Sequence, residues 1–173
     1  PPTLRLVCAP MQRFSLGGGE RFGLIYSAFR AFQHLIEVED QLNCLRCVRE
    51  HLAPGGVFAF DVFCPRMART AIEEEPWAED RRFQLVGDEV VRLSRARRDI
   101  PRQCMTVDMR YVRTRDGRHV TEDEVSFQMR WFWRYELEHL LARAGFGRVE
   151  IFGDFKRSPI RADSPAFVVV ARE

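Results

Sequence analysis

The feature that most constrains the fold is an apolar run placed directly after a helical pattern. From Glu37 to Leu52, apolar residues recur at three- and four-residue steps, the spacing that puts them on one face of a helix. Pro54-Gly55-Gly56 follows, and residues 57–63 (VFAFDVF) are then almost continuously apolar. Proline cannot continue a helix, and glycine tolerates the left-handed backbone beyond its end. The pattern predicts a helix that ends at Pro-Gly-Gly and a buried strand after it.

A second apolar segment, FGLIYSAF at 22–29, precedes this helix and predicts another buried strand. Strand, helix and strand with short connections form a βαβ unit, whose strands are parallel and whose crossover is right-handed. Parallel strands covered by helices on both faces are apolar throughout, which accounts for the run at 57–63. The sequence therefore predicts an α/β protein with a mostly parallel sheet. TLRLVCAPM at 3–11 is predicted as a further strand, and SLGGGERF at 15–22 as a turn.

After Pro65 the apolar residues begin to alternate with polar ones, which is typical of antiparallel strands with one apolar face. Asp116-Gly117 is a hairpin turn signal. We predict a short helix and a loop up to residue 80, and then a meander of about three strands, an insertion at 88–131 within one domain spanning 1–173. The alternating residues are Val91, Leu93, Met105, Val107, Met109, Tyr111, Val125, Phe127, Met129, Trp131 and Trp133.

The C-terminal quarter predicts one helix and two strands. Residues 135–144 carry an apolar stripe of helical spacing, and Gly145 is the stop signal. RVEIFGDF at 148–155 and AFVVVARE at 166–173 predict the strands, and a turn-rich segment joins them. The helix stripe consists of Leu137, Leu140, Leu141 and Ala144.

The composition excludes several classes of protein. The 27 basic and 25 acidic residues nearly balance, which argues against a dedicated nucleic-acid binder. No apolar run approaches the roughly 20 residues of a membrane helix, and no signal peptide is visible. The five cysteines are interpreted as reduced thiols of a cytoplasmic protein. Cys44 and Cys47 lack the second pair that a zinc site needs, so no metal is predicted.

A series of segments occurs in an order that resembles a known family: FGLIYSAFRAFQHL, a helix, LAPGGVFAFDVFCP, a meander, RWFWRYELEHLLARAGF, VEIFGDF and FVVVARE. Over nearly the whole chain they resemble the class I S-adenosylmethionine-dependent methyltransferases. The most similar type modifies small molecules, carries a β-insertion after its fifth strand and includes sugar N-methyltransferases. The resemblance implies a Rossmann-like sheet whose last strand is antiparallel to its neighbours, S-adenosylmethionine as cofactor and a small-molecule substrate.

One departure from the family pattern is large. The family fold opens with a strand and a G-x-G-x-G loop beside the cofactor, and its second strand ends in an acidic residue that holds the ribose. This sequence contains neither. By its resemblance Leu4–Met11 matches the third family strand, which implies an N-terminally truncated domain with weak or absent cofactor binding. Pro1-Pro2 in place of an initial methionine fits an excised or truncated product. Residues 17–20 (GGGE) precede no helix and are interpreted as a turn.

Two stretches are candidates for cofactor contacts, because ligands of open α/β sheets bind at the carboxyl ends of parallel strands. The first matches the family turn beside the adenine, with Pro10 where relatives commonly carry an aspartate. The second matches the end of the fourth family strand, beside the methionine part of the cofactor. Plain strand ends remain the alternative for both. The candidate contacts are Ala9, Pro10, Met11, Tyr26, Ser27 and Ala28.

His34 is the candidate catalytic residue. Several sugar-methylating relatives carry a substrate-facing histidine near this position, and a neutral imidazole can accept a proton from an amine. The alternative is a helix-start residue or hydrogen-bonded filler. Candidate substrate contacts are Phe29, Arg30, Phe32 and Trp131.

Two functions from different classes follow from these observations. The first is a methyltransferase acting on a small molecule. The second is a non-catalytic methyltransferase-like module that self-associates. In the family order, losing the first two strands leaves Phe22–Ser27 as a sheet edge, which predicts a homodimer. Alternatively, Leu4–Cys8 pairs with that edge within one chain. A Rossmann protein of another kind is a weaker third hypothesis, because its glycine fingerprint is absent.

Overall fold

The computed structural model describes residues 4–173, which divide into two compact units, one of residues 4–64 with 132–173 and the other of residues 65–131. Thr3 of the first predicted strand lies outside the described residues. In chain order the elements are β1 (Phe22–Ser27), a 3-10 helix (Ala31–His34), α1 (Val38–His51), β2 (Leu52–Phe63), α2 (Met67–Thr70), β3 (Ala78–Leu85), β4 (Asp88–Asp99), β5 (Cys104–Arg115), β6 (Arg118–Arg130), α3 (Arg134–Arg143), β7 (Arg148–Phe152) and β8 (Ala166–Arg172). None of the helices within residues 4–173 is long and apolar enough to cross a membrane.

The first unit contains a mixed four-stranded sheet in the order β1-β2-β8-β7. β1 and β2 are parallel, and β8 is antiparallel to both of its neighbours. The four strands predicted here are all present, and the reversed direction of the last strand is confirmed. The carboxyl ends of β1 and β2 therefore lie side by side at one edge of the sheet.

The end of α1 differs from the prediction. The helix stops at His51, and Leu52 already belongs to β2. Pro54-Gly55-Gly56 lies within the strand as an irregularity, because Phe22 pairs with Leu52 whereas Leu24 pairs with Val57. Gly55 adopts the left-handed backbone conformation at this irregularity, with a φ of +73°. The Pro-Gly-Gly sequence thus shapes the entry to the strand instead of ending the helix.

The core of the first unit lies on one face of this sheet. The apolar stripes of α1 and α3 pack there, and Gly145 follows α3 with a φ of +90°, as its stop signal predicts. The fully buried side chains of this core include Phe32, Leu45, Phe132, Leu137, Leu141 and Val169.

β1 lies at the open edge of the sheet, as the absence of the first two family strands predicted, although its apolar run by itself predicted a buried strand. Leu24 is 59% exposed and Tyr26 71% exposed, while Ile25 on the opposite face packs against the core. The predicted strand at Leu4–Cys8 is wrong: the chain has no regular structure from Leu4 to Pro10. A strand is stabilised by its pairing, and within residues 4–173 the structure gives this segment no strand to pair with. The intramolecular repair of the edge is therefore not seen.

The second unit is an antiparallel meander of four strands in the order β3-β4-β5-β6. The sequence predicted about three strands, and β3 is the strand that was not predicted. Met105, Val107 and Met109 of β5 lie opposite Met129, Phe127 and Val125 of β6, which confirms an apolar face. Val91 and Leu93 pair with Val112 and Arg110 and therefore lie on the other face.

That other face is held together by charge. The ring of Trp77 lies 4.9 Å from the guanidinium of Arg95 and 4.8 Å from that of Arg110. Arg95 also donates to Asp108 at 2.9 Å. Guanidinium groups stack on aromatic faces and pair with carboxylates at the same time, so these contacts order the polar part of this face.

Candidate functional site

The carboxyl ends of β1 and β2 bring two chain segments together. Ser27, the last residue of β1, pairs with Phe60 of β2. The chain then turns over the end of β2, where residues 61–63 complete that strand. Ligands of open α/β sheets bind outside such strand ends, so residues 26–34 and 61–63 form the candidate site.

The turn between β1 and the 3-10 helix has an uncommon backbone. Phe29 and Arg30 are consecutive non-glycine residues with φ values of +56° and +62°, a conformation that costs about 1–2 kcal/mol per residue. The amide of Arg30 donates to Oδ1 of Asp61 at 3.4 Å, and the amide of Phe63 donates to Oε1 of the fully buried Gln33 at 3.0 Å. Both bonds tie the turn to the end of β2, so the strand sets the shape of the turn.

The side chains of this turn are mostly exposed. Phe29 is 94% exposed, and the Arg30 guanidinium lies 5.9 Å from the centre of the Phe63 ring. Ala28 and His34 are exposed as well. Among the described residues the hydroxyl oxygen of Ser27 is buried and has no hydrogen-bond partner. A buried hydroxyl without a partner is uncommon in folded proteins and marks a place where a ligand atom can bind.

Two candidate substrate contacts are buried. Phe32 is 0% exposed and packs in the core, with its ring centre 4.8 Å from that of Phe60. Trp131, in the other unit, is 2% exposed, and its amide donates to the carbonyl of Gln103 at 3.0 Å. Trp133 does not continue the alternation, because β6 ends at Arg130. Phe32 therefore packs in the core next to the turn, and its ring is not exposed to a substrate.

The other predicted cofactor segment forms a turn of its own. The amide of Arg13 donates to the carbonyl of Pro10 at 3.0 Å. Ala9 and Pro10 are exposed, whereas Met11 packs against the core of the first unit. The GGGE segment also forms a turn, in which the amide of Glu20 donates to the carbonyl of Gly17 at 3.4 Å.

Asp61 belongs to the candidate site, and the sequence analysis did not single it out. It is 8% exposed and lies on β2 between two core residues, Phe60 and Val62. The signal that could have found it is a carboxylate placed within an otherwise apolar parallel strand, close to the carboxyl end. A charged side chain is rarely buried without a reason.

The Cys44 thiol of α1 is unsuited to redox chemistry. Burial, reinforced by neighbouring Cys47, raises the pKa of the Cys44 thiol to about 12, and the thiolate is the reactive form of cysteine. Across residues 4–173 no group of three or more His, Cys, Asp or Glu side chains is placed to hold a metal ion.

Comparison with known proteins identifies the fold. No protein-family model matches the chain, and no curated protein does. Solved structures do match. The CcbJ methyltransferase from Streptomyces caelestis is 25% identical with a TM-score of 0.79, over 96% of this chain and 62% of its own. An S-adenosylmethionine-dependent methyltransferase from Clostridium acetobutylicum is 15% identical with a TM-score of 0.77, over 98% of this chain and 65% of its own.

CalS10, an amino pentose methyltransferase from Micromonospora echinaspora solved with S-adenosylmethionine bound, is 22% identical with a TM-score of 0.73. It matches over 99% of this chain and 66% of its own length. The chain thus spans less than two thirds of the length of these three proteins. Both the sheet and the meander fall within the matched region, since the matches cover nearly all of this chain. The chain has the fold of the class I S-adenosylmethionine-dependent methyltransferases.

Proposed function

We propose that this chain is a methyltransferase-type protein that uses S-adenosylmethionine and acts on a small molecule. The observation that carries the proposal is the strand-end site, an exposed turn locked over the carboxyl ends of β1 and β2, in a sheet of the methyltransferase fold. The methyltransferase class is supported by CcbJ, a matched methyltransferase that is 25% identical, and the small-molecule class by the resemblance of the sequence to small-molecule methyltransferases. All five cysteines are free thiols, which supports the cytoplasm as the compartment.

The residues at this edge fit one part of the cofactor. The buried, unpartnered hydroxyl of Ser27 and the exposed Ala28 would hold the methionine part, and Met11 would lie towards the adenine. When bound, S-adenosylmethionine supplies an electrophilic methyl group. The protein aligns the acceptor atom with it, and His34, exposed at the end of the 3-10 helix, takes the proton that the acceptor loses.

The isolated 173 residues should bind the cofactor weakly. They contain no glycine-rich loop after a strand and no ribose-binding acid, the groups that would make most polar contacts. We expect a dissociation constant above about 1 mM, which corresponds to less than roughly 4 kcal/mol of binding free energy. Calorimetry that gives a micromolar constant would contradict this expectation.

Amide NMR detects millimolar binding and tests the proposal. Titration with S-adenosylmethionine to about 10 mM should shift the amides of Ser27, Ala28 and Arg30, because they face the proposed methionine subsite. Ala28→Arg should abolish these shifts, whereas Ala162→Arg, at another exposed alanine of the same unit, should leave them unchanged. Absence of any shift in the wild-type chain would refute the proposal.

A second candidate function is a self-associating module without catalysis. The observation that favours it is the open edge of β1, where Leu24 and Tyr26 are exposed beside unpaired backbone groups. An apolar edge strand is a template for a second chain. A two-fold dimer is the simplest assembly that would cover it.

A further inference from the structure

Within residues 4–173 two carboxylates are buried, and their partners differ. Asp88 is 0% exposed and accepts hydrogen bonds from two guanidinium groups, those of Arg113 and Arg115. Asp61 is 8% exposed, and the one hydrogen bond given to it within residues 4–173 comes from the amide of Arg30 at 3.4 Å. The buried charge of Asp88 is thus balanced inside the fold, while that of Asp61 is not.

The guanidinium group on the turn that donates to Asp61 is engaged elsewhere. The Arg30 guanidinium lies over the ring of Phe63, and in the described part of the chain no arginine, lysine or histidine forms an ion pair with Asp61. A buried carboxylate without a cationic partner is unfavourable. Sites of this kind in proteins are commonly functional, because a ligand supplies the missing charge.

The position of Asp61 indicates what such a ligand can be. It lies on β2, next to the residues that follow Ser27 of β1, at the strand ends where ligands of this class of sheet bind. Aromatic rings of Phe29 and Phe63 lie in the adjoining segments, and Phe29 is exposed. A buried carboxylate next to a turn that carries an exposed ring suits an organic ammonium ion, which pairs with the charge and packs on the Phe29 ring.

We propose that Asp61 binds the ammonium group of the methyl acceptor, which makes the acceptor a small protonated amine with an apolar substituent. The inference rests on the proposed function and deepens it. The Asp61 carboxylate replaces the water around the ammonium ion and orients its nitrogen at the strand ends. The ammonium group loses one proton to His34 before methyl transfer, because only the neutral amine has the lone pair that attacks the methyl group. S-adenosylmethionine also carries an ammonium group, so the experiment must distinguish acceptor from cofactor.

The test compares benzylammonium with its neutral analogue benzyl alcohol by amide NMR on the 173-residue chain. Benzylammonium should shift the Arg30 and Val62 amides, and benzyl alcohol should shift them at least tenfold less at equal concentration. Asp61→Asn should weaken benzylammonium binding at least tenfold. Asp163→Asn, which removes an exposed carboxylate of the same unit, should not change it. Equal shifts from both probes, or binding that survives Asp61→Asn, would overturn the proposal.

Two further measurements separate the remaining explanations. In Asp61→Asn, shifts induced by S-adenosylmethionine at Ser27 and Ala28 should persist; if only those shifts are lost, Asp61 binds the cofactor and the acceptor assignment fails. If wild-type chain responds to the cofactor but not to benzylammonium, the inference fails while the proposed function stands. Asp61→Asn should keep or raise the thermal midpoint, because it removes an unbalanced buried charge. A protein that loses its fold would show Asp61 to be structural and refute the inference.

Discussion

Gly56 shows how closely single residues are constrained where β2 begins. A Cβ atom at this position would lie 2.8 Å from the carbonyl oxygen of Ala53 and 2.9 Å from that of Phe22. Both are backbone atoms of paired strands and cannot move aside easily. Gly56→Ala should therefore lower the free energy of unfolding by about 1–3 kcal/mol, measured by urea denaturation. Gly23→Ala is the control, because nothing lies within 4 Å of its Cβ position; equal losses would contradict the argument.

The buried Asp88 carboxylate makes the stability of the fold depend on pH. Hydrogen bonds from Arg115 and then Arg113 hold the pKa of the Asp88 carboxyl below its usual range. A group whose pKa is lowered in the folded protein stabilises the fold at pH values above its unfolded pKa, which is about 3.9 for aspartate. It loses that contribution as the pH falls through the pKa of the folded state. The thermal midpoint of wild-type protein should thus fall on acidification below about pH 4.

Asp88→Asn tests the origin of this acid sensitivity. The variant should melt at a lower temperature at pH 7 and show a smaller further loss below pH 4, when followed by circular dichroism. Asp123→Asn, an exposed position on β6, should behave as wild type does. If Asp88→Asn lost as much thermal stability below pH 4 as the wild type does, other carboxylates would be the cause of the acid sensitivity.

The sequence predicts some residues of the site and misses others for a physical reason. Gly145 is predicted correctly as the residue that ends α3, because the end of a helix depends only on local backbone preference. Ser27 and Ala28 follow from the end of an apolar run. Asp61 is missed because its charge lies inside a run that looks uniformly buried, and only the folded structure reveals that no cation within residues 4–173 balances it.

At the scale of elements, α1 is tied to the preceding loop through one imidazole. The amide of Leu16 donates to Nε2 of His51 at 3.2 Å, so Nδ1 carries the proton and donates to the Cys47 carbonyl at 2.7 Å. The ring of Phe14 packs on the imidazole with centroids 4.9 Å apart. The last turn of the helix thereby holds the loop.

Removing this imidazole should loosen the loop. His51→Leu leaves the Leu16 amide without its acceptor, which costs about 1 kcal/mol, and should speed hydrogen exchange at that amide by about fivefold. His139→Leu alters an exposed histidine of α3 and should not change the exchange. Unchanged exchange in His51→Leu would mean that the loop is held by other contacts.

Elements are predicted well when their signal is local and poorly when it depends on distant partners. Helical periodicity gives α3 to within a residue or two. The apolar run predicts β1 as a strand but not its edge position, which depends on the strands that pair with it; that position was predicted only from the family strand order. β3 is missed because its sequence, AEDRRFQL, carries the charges of an exposed strand and little apolar alternation.

For the whole molecule, the open edge of β1 predicts association between chains. Light scattering at micromolar concentration should show a dimer of the 20.3 kDa chain, because pairing along β1 satisfies its backbone and covers Leu24. Leu24→Lys should shift the population to monomer, since a charge on an edge strand blocks pairing. Phe155→Lys, at a residue 74% exposed in a loop, is the control. A monodisperse wild-type monomer would refute the dimer.

β2 and β8 pair in the sheet but lie far apart in the sequence, and this separation affects folding during synthesis. Asp61 of β2 pairs with Val168 of β8, so more than half of the chain must be translated between the two. At about 5–20 residues per second, this interval lasts on the order of 5–20 s. For much of it, β2 is outside the ribosome without its partner β8. We therefore expect the nascent chain to depend on chaperones, and its yield to rise when translation of the last strands is accelerated.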